Sequence, residues 1–225
     1  MSNLHENQTQ IVDLYRKRAK GYDSSGIGSL ESWRKEAVKR LNLARGDLVV
    51  DIGCGTGLNF ALLQEAVGPE GKIIGVDLTD AMLERANQRA AKHGWKNVEL
   101  VQSDAAQYEF PAQVAGIIST FALTFVPDGA RAIQNGCKAL APGRKWVVLD
   151  MAWPQGWPLW WRHLLFFLPS YGITADVIQR QPWKTVYQTM QQCLDDVEQK
   201  RFWMGFFYLA SGKQTSQPKP HAPVL

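Results

Sequence analysis

The chain has 225 residues, 45% of them hydrophobic and 20% charged, which is typical of a globular protein built as one large domain or one domain with an inserted piece. Its net charge of +4 is small and its Lys and Arg residues are spread out, so we expect no nucleic-acid partner. The three cysteines show no CxxC or Cys/His spacing, so we expect neither a disulfide framework nor a metal site.

The apolar pattern predicts alternating helices and strands along most of the chain. Helical spacing in 11–25 and 31–42 precedes a buried strand in DLVVDIG and a helix in NFALLQEAV. Further strands are predicted for KIIGVD, NVELVQSD, VAGIIST and KWVVLDM, and further helices for DAMLERANQRAAKHG and PDGARAIQNGCKAL. Strands that alternate with helices pair in parallel, so this order predicts a doubly wound α/β sheet.

The end of the chain departs from this alternation. The segments DVEQKRFWM and GFFYLASGK follow each other almost directly, so we expect an antiparallel hairpin. The predicted fold is therefore a Rossmann-like α/β sheet of seven mostly parallel strands that ends in an antiparallel hairpin. We expect N-terminal helices in 1–45, the α/β core in 46–151, an inserted, Trp-rich helical cover in 152–194, the hairpin in 195–213 and a disordered tail in 214–225.

Three glycines, Gly53, Gly55 and Gly57, lie between the first core strand and its helix, in VVDIGCGTG. Glycines at this junction allow a tight turn and a close approach of ligand to backbone, and the free N–H groups of the helix favour an anionic ligand group. No lysine follows for a nucleoside triphosphate, and the spacing is one residue short of the dinucleotide pattern GxGxxG. S-adenosylmethionine is the third candidate, because its anionic group is a carboxylate.

Three acids, Asp51, Asp77 and Asp104, lie at the carboxyl ends of three successive predicted strands. A carboxylate at Asp77 can accept hydrogen bonds from both ribose hydroxyls, in NAD as well as in S-adenosylmethionine. A carboxylate at Asp104 can accept a hydrogen bond from an adenine amino group. Each acid alone is also explained as a helix cap, but the three together with the glycines indicate a ligand crevice.

The segments VVDIGCGTG, IIGVDLTDAMLERA and VELVQSDAAQYEF resemble the three cofactor motifs of class I S-adenosylmethionine-dependent methyltransferases. The resemblance covers about 11–151 and the hairpin. LYRKRAKGYD is similar to the N-terminal helix of the quinone-biosynthesis and phospholipid methyltransferase group, whose aromatic residues close over the cofactor. The cofactor-binding residues that the resemblance implies are Tyr15, Tyr22, Asp51, Gly53, Cys54, Gly55, Gly57, Asp77, Leu78, Met82, Asp104, Ala105, Thr120 and Phe121. For Tyr15 and Tyr22, packing between helices is an equally good explanation.

The acceptor implied by the resemblance is a hydrophobic small molecule or lipid of the quinol, phenol or lipid-amine class. Candidate residues come from the cover expected in 152–194. His163 is a candidate base, Tyr171 and Asp176 are candidates to orient an amine or hydroxyl, and Arg180 is a candidate to hold an anion. A packed core histidine and a surface pair of Asp176 with Arg180 explain the same residues without a function.

The aromatic run in the cover includes Trp160 and Trp161, which we assign to acceptor binding. Three interpretations are open: a lid over an apolar acceptor, contact with a membrane surface, or packing alone. The run WPLWWRHLLFFL is shorter than the roughly 20 residues that span a bilayer. The polar first ten residues lack the apolar run of a signal peptide, so we expect a cytoplasmic protein, with peripheral membrane contact as a further option.

The sequence thus predicts an enzyme that transfers a methyl group from S-adenosylmethionine. An NAD-dependent oxidoreductase is the alternative among enzymes, but it requires GxGxxG and leaves Asp104 and the hairpin unexplained. A non-catalytic subunit that binds the cofactor and activates a partner is the alternative outside enzymes.

Overall fold

A seven-stranded sheet flanked by helices forms the fold, as seen in a computed structural model that describes residues 2–24, 30–158, 160 and 175–215. The strands are β1 (Leu48–Ile52), β2 (Lys72–Asp77), β3 (Val98–Gln102), β4 (Val114–Thr120), β5 (Leu140–Met151), β6 (Asp195–Phe202) and β7 (Phe207–Lys213). Their order in the sheet is β3-β2-β1-β4-β5-β7-β6. The first five are parallel, and β7 pairs antiparallel with both β5 and β6, which confirms the predicted fold class.

Helices cover both faces of the sheet. In the described part of the chain they are α1 (Ser2–Arg18), α2 (Glu31–Leu41), α3 (Phe60–Val67), α4 (Asp80–His93), α5 (Gly129–Ala139), α6 (Ala175–Arg180) and α7 (Pro182–Cys193). One core layer packs the sheet against α2, α3 and α4, and the other packs it against α5 and α7. Val49 joins the first layer and Val50 and Ile52 the second, because successive side chains of a strand point to opposite faces.

Several element boundaries differ from the predicted ones. α1 runs over Ser2–Arg18 instead of beginning at 11, and β6 ends at Phe202, two residues before the predicted end. β5 begins at Leu140, five residues before the predicted KWVVLDM, because the backbone of Gly143 and Arg144 exchanges hydrogen bonds with Gln214. Gly143 has φ +77, and the register between β4 and β5 shifts near it. Of the predicted tail 214–225, Gln214 therefore lies against the sheet, and 216–225 lie outside the described residues.

Helix α7 lies inside the stretch predicted as a cover, where the sequence reasoning assigned no individual helices. Its Trp183, Val186 and Met190 are buried at the spacing of three and four residues that places side chains on one face of a helix. The predicted cover also includes 159 and 161–174, which lie outside the described residues. Across the described ranges, no helix combines the length and the apolar character needed to cross a membrane.

The sheet has its switch point between β1 and β4. From β1 the chain proceeds through β2 to β3 at one edge, and then crosses to β4 on the other side of β1. In such sheets a crevice opens outside the carboxyl ends of the two central strands, where ligands bind. The glycine loop after β1 and the segment after β4 are therefore placed on opposite sides of one crevice.

Candidate functional site

The glycine loop after β1 takes a left-handed backbone at each of its three glycines. The φ angles are +67 at Gly53, +55 at Gly55 and +76 at Gly57. A Cβ on Gly53 would lie 2.1 Å from the Cβ of Ala122, so Gly53 lets the loops after β1 and β4 approach each other. A Cβ on Gly55 would meet no atom within 4 Å, so the backbone at Gly55 faces open space. The loop thus has the form of a cradle for a ligand.

The open space beside Gly55 belongs to a cavity of about 850 Å³, part of which is open to solvent. It lies at the carboxyl ends of β1, β2, β3 and β4 and is bounded by α1. The sequence-predicted cofactor residues on its wall are Tyr15, Tyr22, Gly53, Cys54, Gly55, Asp77, Leu78, Met82, Asp104, Ala105, Thr120 and Phe121. The fold therefore gathers residues that are more than 100 positions apart in the chain around one space.

Asp51 and Gly57 were also expected at the cofactor but do not line this cavity. Asp51 is fully buried, and both of its carboxylate oxygens accept hydrogen bonds from the Asn59 side-chain amide, at 3.1 and 3.0 Å. Burial raises the pKa of Asp51 to about 7, against the lowering effect of Asn59. A Cβ on Gly57 would lie 2.6 Å from the ring of Phe60. Both residues therefore contact the residues that follow the loop, Asn59 and Phe60, instead of facing the cavity.

Asp77 connects the end of β2 to the glycine loop. Its carboxylate accepts hydrogen bonds from the backbone N–H of Gly55 at 2.9 Å and of Thr79 at 2.8 Å. Burial raises the pKa of Asp77, and these hydrogen bonds oppose the increase. The same carboxylate lies on the cavity wall, so it both orders the loop and faces the ligand space.

Asp104 is likewise both a turn residue and part of the wall. One of its carboxylate oxygens accepts a hydrogen bond from the backbone N–H of Ala106 at 2.8 Å. That bond closes a turn and does not cap a helix, because the described residues between β3 and β4 form no helix. Asp104 therefore shapes the turn after β3 and also lines the cavity.

Arg34 of α2 lines the cavity and was missed by the sequence reasoning. Its side chain is only 5% exposed, and its Nη1 donates hydrogen bonds to Asn59 Oδ1 at 3.0 Å and to Thr120 Oγ1. Its Cζ lies 5.1 Å from the ring centroid of Phe121, and its buried Nε has no hydrogen-bond partner. Among the described residues on the wall, Arg34 is the only Lys, Arg or His. The sequence signal was its place on the apolar face of α2 beside Ala37, Val38 and Leu41.

The N-terminal segment closes one side of the cavity with aromatic rings. Tyr15 and Tyr22 lie edge to face with ring centroids 6.0 Å apart, and Tyr15 lies 5.7 Å from Phe125 in the same manner. Burial raises the pKa of both tyrosine hydroxyls. Asp23 accepts a hydrogen bond from the hydroxyl of Thr56 at 2.6 Å, which ties this segment to the glycine loop.

The end of β4 holds its backbone in an uncommon conformation. Phe121 has φ +58, a region that costs a non-glycine residue free energy and that occurs frequently at functional sites. Its N–H donates to the carbonyl of Leu149 at 2.8 Å, and its ring packs edge to face on Phe207. This conformation presents Thr120 and Phe121 on the cavity floor.

The residues assigned to the acceptor are only partly described. His163, Tyr171 and Trp161, as well as the side chain of Asp176, lie outside the described residues. Trp160 is 60% exposed, Arg180 ends α6, and neither belongs to the described lining of the cavity.

A second, smaller cavity lies beside the end of β5. Its space of about 330 Å³ is partly open to solvent, and its wall is almost wholly apolar, with Met151, Trp153, Ile178 and Phe206 among its lining residues. Thr124 also lines it, and the next residue along the chain, Phe125, lines the larger cavity. The two spaces are therefore separated by one turn of chain, the short 3-10 helix Leu123–Phe125.

The buried carboxylate of Asp150 anchors that short helix. It accepts hydrogen bonds from the backbone N–H of Thr124 at 2.9 Å, from the Thr124 hydroxyl at 2.8 Å and from the N–H of Met151 at 2.8 Å. Burial raises the pKa of Asp150 to about 6, and these hydrogen bonds oppose the increase. With no exposed surface, Asp150 fixes the wall between the two cavities.

The chain is similar in sequence to known methyltransferases. Residues 49–143 match a methyltransferase domain family. A demethylmenaquinone methyltransferase of Geobacillus kaustophilus is 31% identical over 190 residues, which are 80% of this chain and 81% of that protein. One of Geobacillus stearothermophilus is 32% identical over 156 residues, 67% of each chain.

Solved structures share the fold at lower sequence identity. A SAM-dependent methyltransferase from Aquifex aeolicus is 19% identical with a TM-score of 0.64 and covers 89% of this chain and 98% of its own. A geranyl diphosphate C-methyltransferase from Streptomyces coelicolor is 17% identical with a TM-score of 0.65. The match covers 84% of this chain and 80% of that enzyme's chain. Its structure contains S-adenosyl-L-homocysteine.

Proposed function

Since this chain belongs to the class I S-adenosylmethionine-dependent methyltransferases, we propose that it methylates a hydrophobic acceptor of the quinol type. Membership of that family makes it an enzyme with S-adenosylmethionine as cofactor, and it sets aside the NAD-dependent oxidoreductase and the non-catalytic subunit. The acceptor class is supported by the relatives, which are named as demethylmenaquinone methyltransferases.

The observation that carries the proposal is the single cavity shared by the glycine loop, the strand-end acids and a buried cation. S-adenosylmethionine supplies, when bound, a methyl group that is already activated on a sulfonium sulfur. The chain's own contribution is then chiefly to bind and orient the two reactants. We assign the ribose to Asp77 and the adenine amino group to Asp104, and we assign the close backbone approach to Gly55.

Arg34 is assigned to the carboxylate of the cofactor's methionine part. That carboxylate is the only anionic group of S-adenosylmethionine, and Arg34 is the only cation among the described residues of the wall. The guanidinium already has a buried Nε without a partner, so an incoming carboxylate would satisfy a donor as well as a charge. Its contacts with Asn59 and Thr120 hold it at the β4 end of the cavity.

We assign the reacting ring of the acceptor to the larger cavity, beside the cofactor's methyl group, and its hydrocarbon part to the smaller cavity beyond the short 3-10 helix. The smaller cavity is apolar and lies next to Phe125, so it suits the hydrocarbon part of a quinol. His163 remains the candidate base, and Tyr171 and Asp176 remain candidates to orient the hydroxyl of the acceptor. Trp160, Trp161 and Arg180 remain candidates for holding the acceptor. A quinol with a hydrocarbon tail resides in a bilayer, so peripheral membrane contact belongs to the same proposal.

The test is methyl transfer from labelled S-adenosylmethionine to a demethylated quinol dispersed in detergent. We expect label in the quinol fraction and an equal amount of S-adenosylhomocysteine. Asp77→Ala should reduce the rate at low cofactor concentration, whereas Glu84→Ala, a matched change of an exposed acid on α4, should leave it unchanged. Methylation of water-soluble phenols alone would contradict the hydrophobic acceptor.

A further inference from the structure

The turn between β6 and β7 presents large apolar side chains to solvent. In the described part of the chain, Trp203 is 64% exposed, Met204 is 76% exposed and Trp160 is 60% exposed. Trp203 and Met204 have φ angles of +49 and +55, so the turn holds both side chains in an uncommon backbone conformation. Exposed apolar groups that cluster, unlike scattered ones, indicate a surface that meets a partner.

This turn lies at the same edge of the sheet as the cofactor cavity. Met151, at the carboxyl end of β5, pairs with Phe207, which in turn pairs with Phe202 just before the turn. β5 is parallel to β4, so its carboxyl end points to the edge that carries the cavity. Trp203 and Met204 therefore project from the active-site edge of the molecule.

Trp160 belongs to the same end of the structure. The ring of Phe206, in the turn, lies edge to face with the ring of Trp157 at 5.4 Å. Trp160 follows Trp157 by three residues, so its Cα lies within about 11 Å of that of Trp157. Phe206 also lines the smaller apolar cavity, whose wall reaches Thr124 beside the cofactor cavity. An apolar surface thus runs from the exposed turn toward the site of chemistry.

The charges along β6 are distributed unevenly. Asp195, Asp196 and Glu198 lie at its start, and Lys200 and Arg201 lie next to the turn. The partners of Asp195 and Arg201 on β7, Lys213 and Tyr208, are five residues apart, so at about 3.3 Å per residue roughly 17 Å separates Asp195 from Arg201. The Nζ of Lys200 lies 5.6 Å from the ring centroid of Trp33, and Arg201 donates to the carbonyl of Trp153 at 3.3 Å, so both cations are held at the turn end.

We propose that the β6–β7 turn, together with Trp160, docks the protein on a bilayer that contains anionic lipid. Trp and Met would enter the headgroup region, where tryptophan is favoured, and Lys200 and Arg201 would face the anionic headgroups. The docked molecule holds its smaller apolar cavity toward the bilayer, so a membrane-dissolved acceptor enters there. This last step rests on the proposed function, whereas docking itself does not.

The docking is tested by sedimentation with phosphatidylcholine vesicles made with and without phosphatidylglycerol. We expect the wild type to sediment with the anionic vesicles and to be released by high salt. The variant Trp203→Ser/Met204→Ser should lose about tenfold or more in apparent affinity. The matched control Trp203→Phe/Met204→Leu should retain binding, and all three proteins should unfold at the same temperature and bind S-adenosylhomocysteine equally. Wild-type protein that ignores both vesicle types, or a Ser/Ser variant that binds them as well as wild type, overturns the proposal.

A second arm separates docking from the proposed function. Each protein is supplied with a long-chain quinol in the vesicles and with a short-chain analogue in solution. We expect the Ser/Ser variant to lose activity toward the first and keep it toward the second. Equal activity of the variant on the vesicle-borne quinol would overturn entry of the acceptor through this surface. Vesicle binding by the wild type without methylation of either quinol would support docking and refute the proposed acceptor.

Discussion

Replacing Arg34 with Met tests the assignment of the cofactor's carboxylate to a residue that the sequence did not reveal. Arg34 is buried on the cavity wall, so a carboxylate bound there is shielded from water. Hydrogen bonds to charged groups contribute roughly 1.5–3 kcal/mol each. The loss of one or two of them should weaken S-adenosylhomocysteine by about 10- to 100-fold or more, since 1.4 kcal/mol is a factor of ten.

The assay is titration calorimetry with two ligands, S-adenosylhomocysteine and 5′-methylthioadenosine, the latter lacking the amino-acid part. The variant Arg34→Met should bind 5′-methylthioadenosine within about twofold of the wild type, because only the carboxylate contact is removed. Arg34→Lys keeps the charge but not the planar guanidinium group, so its affinity for S-adenosylhomocysteine should lie between those of the wild type and Arg34→Met. Equal weakening of the binding of both ligands would contradict the assignment of the carboxylate to Arg34, since it would mean that Arg34 maintains the shape of the cavity through Asn59 and Thr120. Unchanged binding of both would refute it as well.

Asp77→Ala should weaken S-adenosylhomocysteine by about tenfold or more through loss of the ribose contact, and unchanged affinity by calorimetry would reduce Asp77 to an anchor of the loop. Gly53→Ala and Gly55→Ala should each lower the free energy of unfolding by roughly 1–2 kcal/mol, because alanine is disfavoured in the left-handed backbone region. Only the new Cβ of Gly53→Ala also overlaps with Ala122. Urea unfolding should therefore rank Gly53→Ala as the less stable, while Gly55→Ala should mainly weaken cofactor binding, and the reverse ranking would contradict the geometry. Asp51 has a pKa of about 7 when folded against about 4 when unfolded, so the folded state holds the extra proton and the free energy of unfolding falls as pH rises between those values. Asp51→Asn should gain stability relative to the wild type across that window, and parallel pH profiles would show that the Asp51 carboxyl is not perturbed.

The strands and helices of the core could be predicted from the sequence because the residue patterns that indicate them are local. KIIGVD and VAGIIST are buried runs flanked by turn residues, and both strands have the predicted limits, Lys72–Asp77 and Val114–Thr120. The glycine loop and Asp77 were also accessible, because their spacing is set by one strand–loop–helix unit. The antiparallel hairpin followed from the absence of a helix between its strands.

The environments of Arg34 and Asp51 could not be predicted from the sequence, because they depend on distant parts of the chain. A single arginine in a helix ordinarily lies in solvent, and only the packing of α2 near β4 buries Arg34 beside Thr120. Asp51 lies next to the last residue of its strand and Asp77 is the last residue of its own, yet only Asp51 is held away from the cavity by the side-chain amide of Asn59. The early start of β5 was missed because Pro142 and Gly143 indicate a turn, whereas pairing with Gln214 keeps the chain in the sheet.

The residues that bind the acceptor were the hardest to predict from the sequence. Aromatic residues in the cover lack a clear period, so the sequence offers no choice between a lid, a membrane contact and packing. The β6–β7 turn was also not predicted from the sequence. Trp203 and Met204 were predicted as part of a strand and lie in the turn that follows it.

The most direct test of quinol methylation follows the methyl group itself. Purified protein is incubated with methyl-labelled S-adenosylmethionine and a lipid extract, and the products are separated by chromatography and mass spectrometry. We expect label in a quinol fraction, in equal amount to the S-adenosylhomocysteine formed, and slower labelling by Asp77→Ala at low cofactor concentration. Label that appears only in water-soluble molecules, or cofactor binding without transfer to any lipid, would contradict it.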